Sequence, residues 1–309
     1  MTKVHGLQLG GGHRMHVEEH GNPRGRPLLL LHGGPGSGCS PALRSGIDPD
    51  RFRIICPDQR GAGRSTPAGA ITSNTLADLL ADLRLLRAHL GIAQWLVAGG
   101  SWGATLALVH AVDQPQAVSG LVLRNPFLAR DCDIREFFDG AAHQGGPGWH
   151  ALWEQARQRH CPMPLLLAEI FAGGTPQQQC ETAKYWFAWE QSLAGSNAPV
   201  PEDDADWLRG LVSRYRVMSH YLRHGCWLVD PTLLQRCAAA PAAVPVHIVQ
   251  GAQDALCPPD GAQALAQALG DRANLELVPG AGHDPAHPAL AAAWQRALDA
   301  CAGFSAGVP

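Results

Sequence analysis

The chain has 309 residues, a length that suits one large folded core carrying an inserted segment. Hydrophobic residues make up 46% of the sequence and charged residues 17%, a balance that excludes a disordered protein. The formal net charge is −3 and no basic run occurs, so a nucleic-acid-binding protein is excluded and a small-molecule or peptide substrate is expected.

The sequence shows no sign of export, membrane insertion or metal binding. Its amino-terminal segment lacks the apolar stretch of a secretory signal, and no segment approaches the roughly 18 apolar residues of a membrane span. The nine cysteines are scattered with no C-x-x-C pair, and the fifteen histidines include no H-E-x-x-H motif. We therefore expect a cytoplasmic protein with no membrane partner, no disulfide framework and no bound metal.

The first third of the sequence alternates short apolar runs, turn residues and helical patterns, which is typical of βαβ units and a largely parallel sheet. Leucines at helical spacing predict a helix over residues 76–90. Asn74 or Thr75 is its expected N-cap and Gly91 its expected C-cap. Strands are predicted, in chain order, at residues 14–19, 27–31, 52–56, 95–98 and 120–123.

The pattern changes between residues 127 and 234. Helical segments rich in aromatic residues, such as 149–160 and 182–193, are separated there by Pro and Gly stretches with few β-branched runs. We interpret residues 127–234 as a helical cap, inserted into a core that residues 1–126 and 235–309 form together.

Strand patterns return after the predicted cap, at residues 244–250 and 274–278, and a last helix is predicted over residues 288–301. No internal repeat or low-complexity tract interrupts the pattern. The sequence thus predicts an α/β fold with a mostly parallel central sheet, helices on both of its faces and an inserted helical cap.

Residues 99–103, GGSWG, match the motif G-x-S-x-G between a predicted strand and a helix predicted over residues 104–112. The small glycines permit a strained turn that raises the Ser101 hydroxyl above the sheet, and the start of a helix favours negative charge there. This context predicts Ser101 as the nucleophile of an α/β-hydrolase. The alternative is a Gly-rich turn with only a structural role.

A serine hydroxyl is a weak nucleophile at neutral pH, so it needs a base and a carboxylate that orients the base. Asp254 directly follows the strand predicted at 244–250, and His283 directly follows the strand predicted at 274–278. Both therefore lie where catalytic groups gather in an open α/β sheet, at the carboxyl ends of strands. We predict them as acid and base, although a helix-capping Asp and a solvated loop His are the alternatives. Three nearby residues compete for these roles: Asp260, Asp284 and His287.

The segment HGGPG, residues 32–36, follows an early predicted strand and offers backbone N–H groups to a developing oxyanion. We predict Gly34 and Trp102 as the two donors, with a simple turn as the alternative for HGGPG. A further Gly-rich segment, DQRGAGRS at residues 58–65, is interpreted as a network of ion pairs and hydrogen bonds that stabilises loops.

In this order, HGGPG, DQRGAGRS, GGSWG, GAQD and GAGH resemble the proline iminopeptidase family of α/β-hydrolases. The resemblance extends to GNPRGRPLLLLHGGPG, LVLRNPFLAR and WFAWEQSL, and so covers most of the chain. It implies a serine hydrolase that removes an amino-terminal residue, usually proline, from peptides or amides through an acyl-enzyme. It also implies that the enzyme needs neither a metal nor an organic cofactor.

The resemblance also implies roles for residues of the predicted cap. Glu190 matches the family's amine-binding glutamate, which would hold the substrate ammonium by a charge-assisted hydrogen bond. Phe127 and Phe137 match positions that line the family's proline pocket. Met218 stands where the family has a second amine-binding glutamate, and Glu136 stands where it tends to have a pocket tryptophan. We hypothesise that Glu136 restores the missing negative charge from another direction.

Other functions compete with the aminopeptidase. A carboxylic-ester or lactone hydrolase with an altered cap would agree with the methionine at position 218. A noncatalytic ligand-binding protein on the same scaffold is disfavoured, because no position of the predicted triad is missing. Dehalogenases and epoxide hydrolases would need an aspartate where Ser101 stands.

Overall fold

The computed structural model describes residues 2–140, 145–195, 204–239 and 244–303. Its strands are β1 (Lys3–Gln8), β2 (Arg14–Gly21), β3 (Arg26–Leu31), β4 (Phe52–Pro57), β5 (Trp95–Ser101), β6 (Val118–Pro126), β7 (Val246–Gly251) and β8 (Ala273–Val278). They form one sheet in the order β1-β2-β4-β3-β5-β6-β7-β8. The pairs β1–β2 and β2–β4 are antiparallel, and all the other neighbours in the sheet are parallel.

Helices cover both faces of the sheet and fill the long segment between β6 and β7. They are α1 (Leu76–His89), α2 (Trp102–Asp113), α3 (Asp131–Arg135), α4 (Pro147–Gln158), α5 (Met163–Gly173), α6 (Pro176–Leu193), α7 (Ala205–Arg223), α8 (Leu233–Ala239), α9 (Pro259–Leu269) and α10 (Pro288–Ala302). None of the helices in these ranges is long and apolar enough to cross a membrane. The predicted fold class, a mostly parallel sheet flanked by helices, is confirmed.

The predicted strands agree with β2 to β8 to within two residues at most ends, whereas β1 was not predicted. This strand lies at the edge of the sheet and pairs only with β2. Of its six residues only Leu7 is buried, so it lacks the alternation of apolar and polar residues that marks a half-buried strand. Edge strands of this kind carry little hydrophobic signal.

Burial on both faces of β3 explains its run of consecutive leucines. Leu29 and Leu31 pack in the same hydrophobic cluster as Trp102, at the start of α2. Leu28 and Leu30 point to the opposite face, in the cluster that contains Trp294 of α10. Because successive side chains of a strand point to opposite faces, a strand covered on both sides must be apolar at every position.

Helix α1 begins where the sequence predicts, and the structure decides between the two candidate N-caps. The Thr75 side chain accepts the Asp78 backbone N–H at 3.3 Å, while the Asp78 carboxylate accepts the Thr75 N–H at 3.0 Å, which forms a capping box. Asn74 is buried and donates instead to the carbonyl oxygens of Arg60 and Ala70, at 3.1 and 2.7 Å. It therefore ties the helix start to the loop that follows β4.

That loop contains the segment DQRGAGRS, and its charged residues stabilise it as the sequence analysis proposes. Arg60 makes two hydrogen bonds, of 2.6 and 2.7 Å, to the carboxylate of Asp82 on α1. Asp58 accepts the backbone N–H groups of Cys39 and Arg64, at 2.6 and 2.9 Å. These buried carboxylates hold the loops beside the carboxyl ends of β3 and β4.

Between β6 and β7 the described residues form helices α3 to α8 and no strand. Helices α4 to α7 pack on one another around buried aromatic side chains, among them Trp149 of α4 and Trp189 of α6, whose rings stack with centroids 4.3 Å apart. Helix α8 packs instead against α2 and α9 of the core. The cap predicted at residues 127–234 contains α3 to α7, and its predicted end lies inside α8.

Candidate active site

Ser101 ends β5 and directly precedes α2, in a backbone conformation that few non-glycine residues adopt, with φ 54° and ψ −124°. Close packing of the helix on the sheet produces this sharp turn. A Cβ atom at Gly103 would lie only 2.2 Å from the carbonyl oxygen of Leu31 on β3, so that position requires glycine. The turn leaves Ser101 half-exposed at the carboxyl edge of the sheet.

Asp254 follows β7, and its carboxylate is fully buried and fully hydrogen-bonded. Oδ1 accepts the backbone N–H groups of Leu256 and Cys257, at 2.8 and 2.9 Å. Oδ2 lies 2.7 Å from Nδ1 of His283, in the loop that follows β8. A carboxylate in this position favours the tautomer of His283 that carries its proton on Nδ1, which leaves Nε2 as the basic nitrogen.

The environment of His283 favours its protonated form. Burial of the ring disfavours a positive charge, but the charge of Asp254 and the hydrogen bond to it outweigh that effect. The pKa of His283 therefore lies well above its ordinary value. His283 must lose a proton before Nε2 can act as a base, so any reaction that uses this base should be favoured by rising pH.

The structure adds Cys257 to the site. Its Sγ lies 3.9 Å from Oγ of Ser101, at the limit of a weak sulfur hydrogen bond, and its thiol also contacts His283. Burial raises the pKa of the Cys257 thiol, which keeps it neutral. The sequence analysis did not single out this residue; the available signal was its position three residues after Asp254.

Asn125, at the end of β6, joins the loops that carry the acid and the base. Its side-chain Nδ2 donates to the carbonyl oxygen of Gly282, at 3.1 Å, directly before His283. Its Oδ1 accepts the backbone N–H of Gly251, at 2.8 Å, at the end of the strand that precedes Asp254. Sequence reasoning missed this residue, because a single Asn after a strand carries no distinctive spacing.

The two predicted oxyanion donors lie on opposite sides of Ser101 along the chain, and Gln59 connects their segments. Trp102 is the first residue of α2, so its backbone N–H has no acceptor within the helix. Its indole donates to Oε1 of Gln59 at 2.8 Å, and the Gln59 amide donates to the carbonyl oxygen of His32 at 2.9 Å. Gly34 lines the cavity with φ 112°, a conformation that favours glycine.

A cavity of about 430 Å³ brings most of the predicted site residues together. Phe137 forms part of its apolar wall and packs edge-on against Trp189, with ring centroids 4.5 Å apart. Asp254 lies behind His283, outside the lining. Glu136 is exposed and does not line the cavity, so its position gives no support to the hypothesis that it replaces a missing carboxylate. The predicted residues in the lining are Gly34, Ser101, Phe127, Phe137, Glu190 and His283.

Glu190 reaches the cavity from α6, and two neighbours on α7 hold it. Its Oε2 accepts hydrogen bonds from Nη2 of Arg214 and from the hydroxyl of Tyr215, both at 2.8 Å. Burial, and the negative charge of Glu190, raise the pKa of Tyr215 well above its ordinary value, so this hydroxyl stays protonated and donates. Met218, one turn further along α7, also lines the cavity.

The arrangement suits acyl transfer. It combines a hydroxyl at a strained turn, an imidazole oriented by a buried carboxylate, and backbone N–H groups near a small cavity with an aromatic wall. Within the described ranges, no group of three or more His, Cys, Asp or Glu side chains is arranged to hold a metal ion.

The chain is similar to known proteins along most of its length. The family model of the α/β-hydrolase fold matches residues 26–288. A proline iminopeptidase of Xylella fastidiosa is 36% identical over 294 residues, which are 91% of this chain and 91% of that protein. A proline iminopeptidase of Arabidopsis thaliana is 35% identical over 93% of this chain and 76% of that protein.

Solved structures give the same result for the fold. The crystal structure of a proline iminopeptidase-related protein from Thermus thermophilus matches with a TM-score of 0.63 and 25% identity, over 97% of this chain and 98% of that one. A haloalkane dehalogenase variant from Bradyrhizobium elkanii also has a TM-score of 0.63, at 21% identity, over 98% of this chain and 99% of that one. The second likeness concerns the fold alone.

Proposed function

This chain belongs to the proline iminopeptidase family of α/β-hydrolases, and from that premise we propose that it removes an amino-terminal proline from short peptides or amides through an acyl-enzyme. The observation that carries the proposal is the 2.7 Å contact between Asp254 and His283, beside the cavity that Ser101 lines. The curated relatives favour this function over an ester or lactone hydrolase.

In the proposed reaction, Oγ of Ser101 attacks the carbonyl carbon of the amino-terminal residue, and Nε2 of His283 takes the hydroxyl proton. The backbone N–H groups of Gly34 and Trp102 stabilise the oxyanion of the tetrahedral intermediate. His283 then returns the proton to the departing amine as the amide bond breaks. Water repeats these steps on the acyl-enzyme, which releases the free amino acid and restores Ser101.

Asp254 stabilises the imidazolium that forms during both steps and keeps the ring in one orientation. Its two backbone hydrogen bonds fix the carboxylate, so His283 needs little reorganisation as it gains charge.

For substrate recognition, we propose that Glu190 binds the ammonium of the amino-terminal residue, and that Phe127 and Phe137 contact its ring. A buried carboxylate and an aromatic wall in one cavity support this assignment. A hydrogen bond between an ammonium and a carboxylate is about twice as strong as a bond between neutral groups. The cavity should therefore prefer a free amine to an acylated one.

A substrate panel tests this function. Wild type, Ser101→Ala and a control, Ser45→Ala, are compared on proline p-nitroanilide, its N-acetylated form, other amino-acid p-nitroanilides and p-nitrophenyl acetate. Ser45 is exposed and does not line the cavity, so its variant should behave as wild type.

We expect a preference for proline with a free amine, lost only in Ser101→Ala. Ester cleavage alone, still dependent on Ser101, would contradict the aminopeptidase assignment and retain the nucleophile. Unchanged activity in Ser101→Ala would contradict the nucleophile itself.

A further inference from the structure

The guanidinium of Arg214 faces the carboxylate of Glu190, which we propose binds the substrate ammonium. This residue lies on α7, lines the cavity and donates from Nη2 to Oε2 of Glu190, at 2.8 Å. Its guanidinium also lies 5.1 Å from the ring centroid of Tyr215. Its Nε is buried and has no hydrogen-bond partner among the described residues. Arg214 is thus held mainly by Glu190 and is partly desolvated.

The two oxygens of Glu190 differ in their partners. Oε2 accepts from both Arg214 and Tyr215, whereas the described residues donate no hydrogen bond to Oε1. Glu190 as a whole is only 8% exposed. An arriving ammonium can therefore use Oε1, but it meets a carboxylate whose charge the guanidinium of Arg214 already offsets at hydrogen-bond distance.

The other charged groups that line the cavity do not replace the negative charge of Glu190 that Arg214 offsets. Two carboxylates, Glu190 and Asp284, and two guanidinium groups, Arg124 and Arg214, are among the residues that line it. Met218, which also lines the cavity, is neutral where the family resemblance implies a second carboxylate. The charges of the carboxylates and guanidinium groups in the lining therefore cancel.

We propose that Arg214 determines specificity as an internal cation that competes with the substrate ammonium for Glu190. The inference rests on the proposed function and adds a substrate class to it. Because the carboxylate is shared, this enzyme discriminates weakly between a charged and an uncharged amino-terminal group. It therefore still prefers a free amine, but by a small margin, and it also accepts neutral amino ends that a free carboxylate would reject.

Two ligands of the same shape and different charge test the proposal. Prolinamide carries a protonated ring nitrogen, whereas cyclopentanecarboxamide has a carbon at that position. Their dissociation constants are measured by calorimetry in a Ser101→Ala background, which prevents hydrolysis. With Arg214→Gln added, we expect prolinamide to bind about tenfold more tightly. Cyclopentanecarboxamide should bind as before.

The matched control is Arg209→Gln. Arg209 lies on the same helix, is exposed and pairs with Asp206, so this variant removes an equal charge without touching the cavity. It should leave both dissociation constants unchanged. If Arg214→Gln does not fold, as circular dichroism would report, Arg214→Met retains the apolar part of the side chain and replaces it in the test.

A double-mutant cycle with Glu190→Gln separates competition from positioning. We expect Glu190→Gln to weaken prolinamide binding more strongly when Arg214 is absent, because the carboxylate is then unshared. Weaker prolinamide binding in Arg214→Gln, an equal change for both ligands, or no change at all would each overturn the proposal. Failure of the proposed function would show separately, as the inability of the enzyme with Ser101 intact to cleave proline p-nitroanilide.

Discussion

The carboxyl edge of the sheet and the helical wall above it are built in different ways. At the edge, Ser101 ends β5, and Asp254 and His283 lie in the loops that follow β7 and β8. Short hydrogen bonds fix these loops to one another. In the wall, Glu190 on α6 and Arg214 on α7 meet only because two helices pack together. Strand order thus positions the residues proposed for catalysis, whereas helix packing positions those proposed for substrate recognition.

This difference has a functional consequence. Groups at strand ends retain their places as long as the sheet is intact, so the hydrolytic site tolerates changes in the helices. A single substitution on a helix, such as the methionine at position 218, can alter the charge of the cavity without disturbing Asp254 or His283. Changes at the edge should therefore affect every substrate, and changes in the wall only some of them.

The largest effect is expected at the edge. Asp254→Asn should lower kcat by about 10⁴-fold on both an anilide and an ester, because an amide at this position favours the wrong tautomer of His283. Steady-state kinetics with proline p-nitroanilide and p-nitrophenyl acetate measure it. The matched control is Asp260→Asn, which changes an exposed carboxylate six residues away that pairs with Arg130. Equal losses in the two variants would contradict the role of Asp254.

A smaller and selective effect is expected in the wall. Glu190→Gln should raise KM for proline p-nitroanilide by about tenfold, because the substrate ammonium loses a charged acceptor. Hydrolysis of p-nitrophenyl acetate, which has no amine, should not change. Glu181→Gln, an exposed position on the same helix, serves as the control. An equal loss of activity on both substrates would contradict the view that the helical wall affects recognition and not catalysis.

Asn125 tests how firmly the loops at the edge are joined. Asn125→Ala should lower the free energy of unfolding by about 1 to 3 kcal/mol, because the buried N–H of Gly251 loses its acceptor. Urea denaturation followed by circular dichroism measures it. Asn125→Asp retains the acceptor for Gly251 but turns a buried carboxylate towards the carbonyl oxygen of Gly282, so its loss should be at least as large. An alanine variant as stable as wild type would contradict this account of the loops.

The mildest test varies only pH. Since the charge of Asp254 and the hydrogen bond to it raise the pKa of His283 despite burial, kcat/KM should rise with pH. The midpoint should lie above about 6.5, the ordinary value for histidine. Asp254→Asn should move this midpoint to lower pH, since the stabilising charge is removed. A profile that is flat in acid would contradict the assignment of His283 as base.

The difference between the edge of the sheet and the helical wall also explains which residues could be predicted from the sequence. A short apolar run followed by a Gly-rich loop marks a strand end, so Ser101, Asp254 and His283 could all be placed from spacing and chain order. The fold class followed from the same runs and is confirmed. Their catalytic roles, like the boundaries of the cap, stay predictions that the variants described above test.

Residues that act through tertiary contacts left no such pattern. Asn125 bonds to the segments on either side of it in space, at Gly251 and Gly282, and Cys257 contacts Ser101. Arg214 meets Glu190 across 24 positions of the chain, and only the packing of α6 against α7 shows it. Glu136 shows the converse, because it is close to pocket residues in sequence but is exposed and does not line the cavity.

Covalent labelling of the nucleophile tests the central claim most directly. A fluorophosphonate probe is added to the wild-type protein, and the modified residue is identified by mass spectrometry of its peptides. The account predicts one phosphonylated residue, Ser101, with labelling that parallels the loss of proline p-nitroanilide hydrolysis and is absent in His283→Ala. Labelling of a different residue, or full hydrolytic activity in a protein whose Ser101 is quantitatively modified, would contradict it.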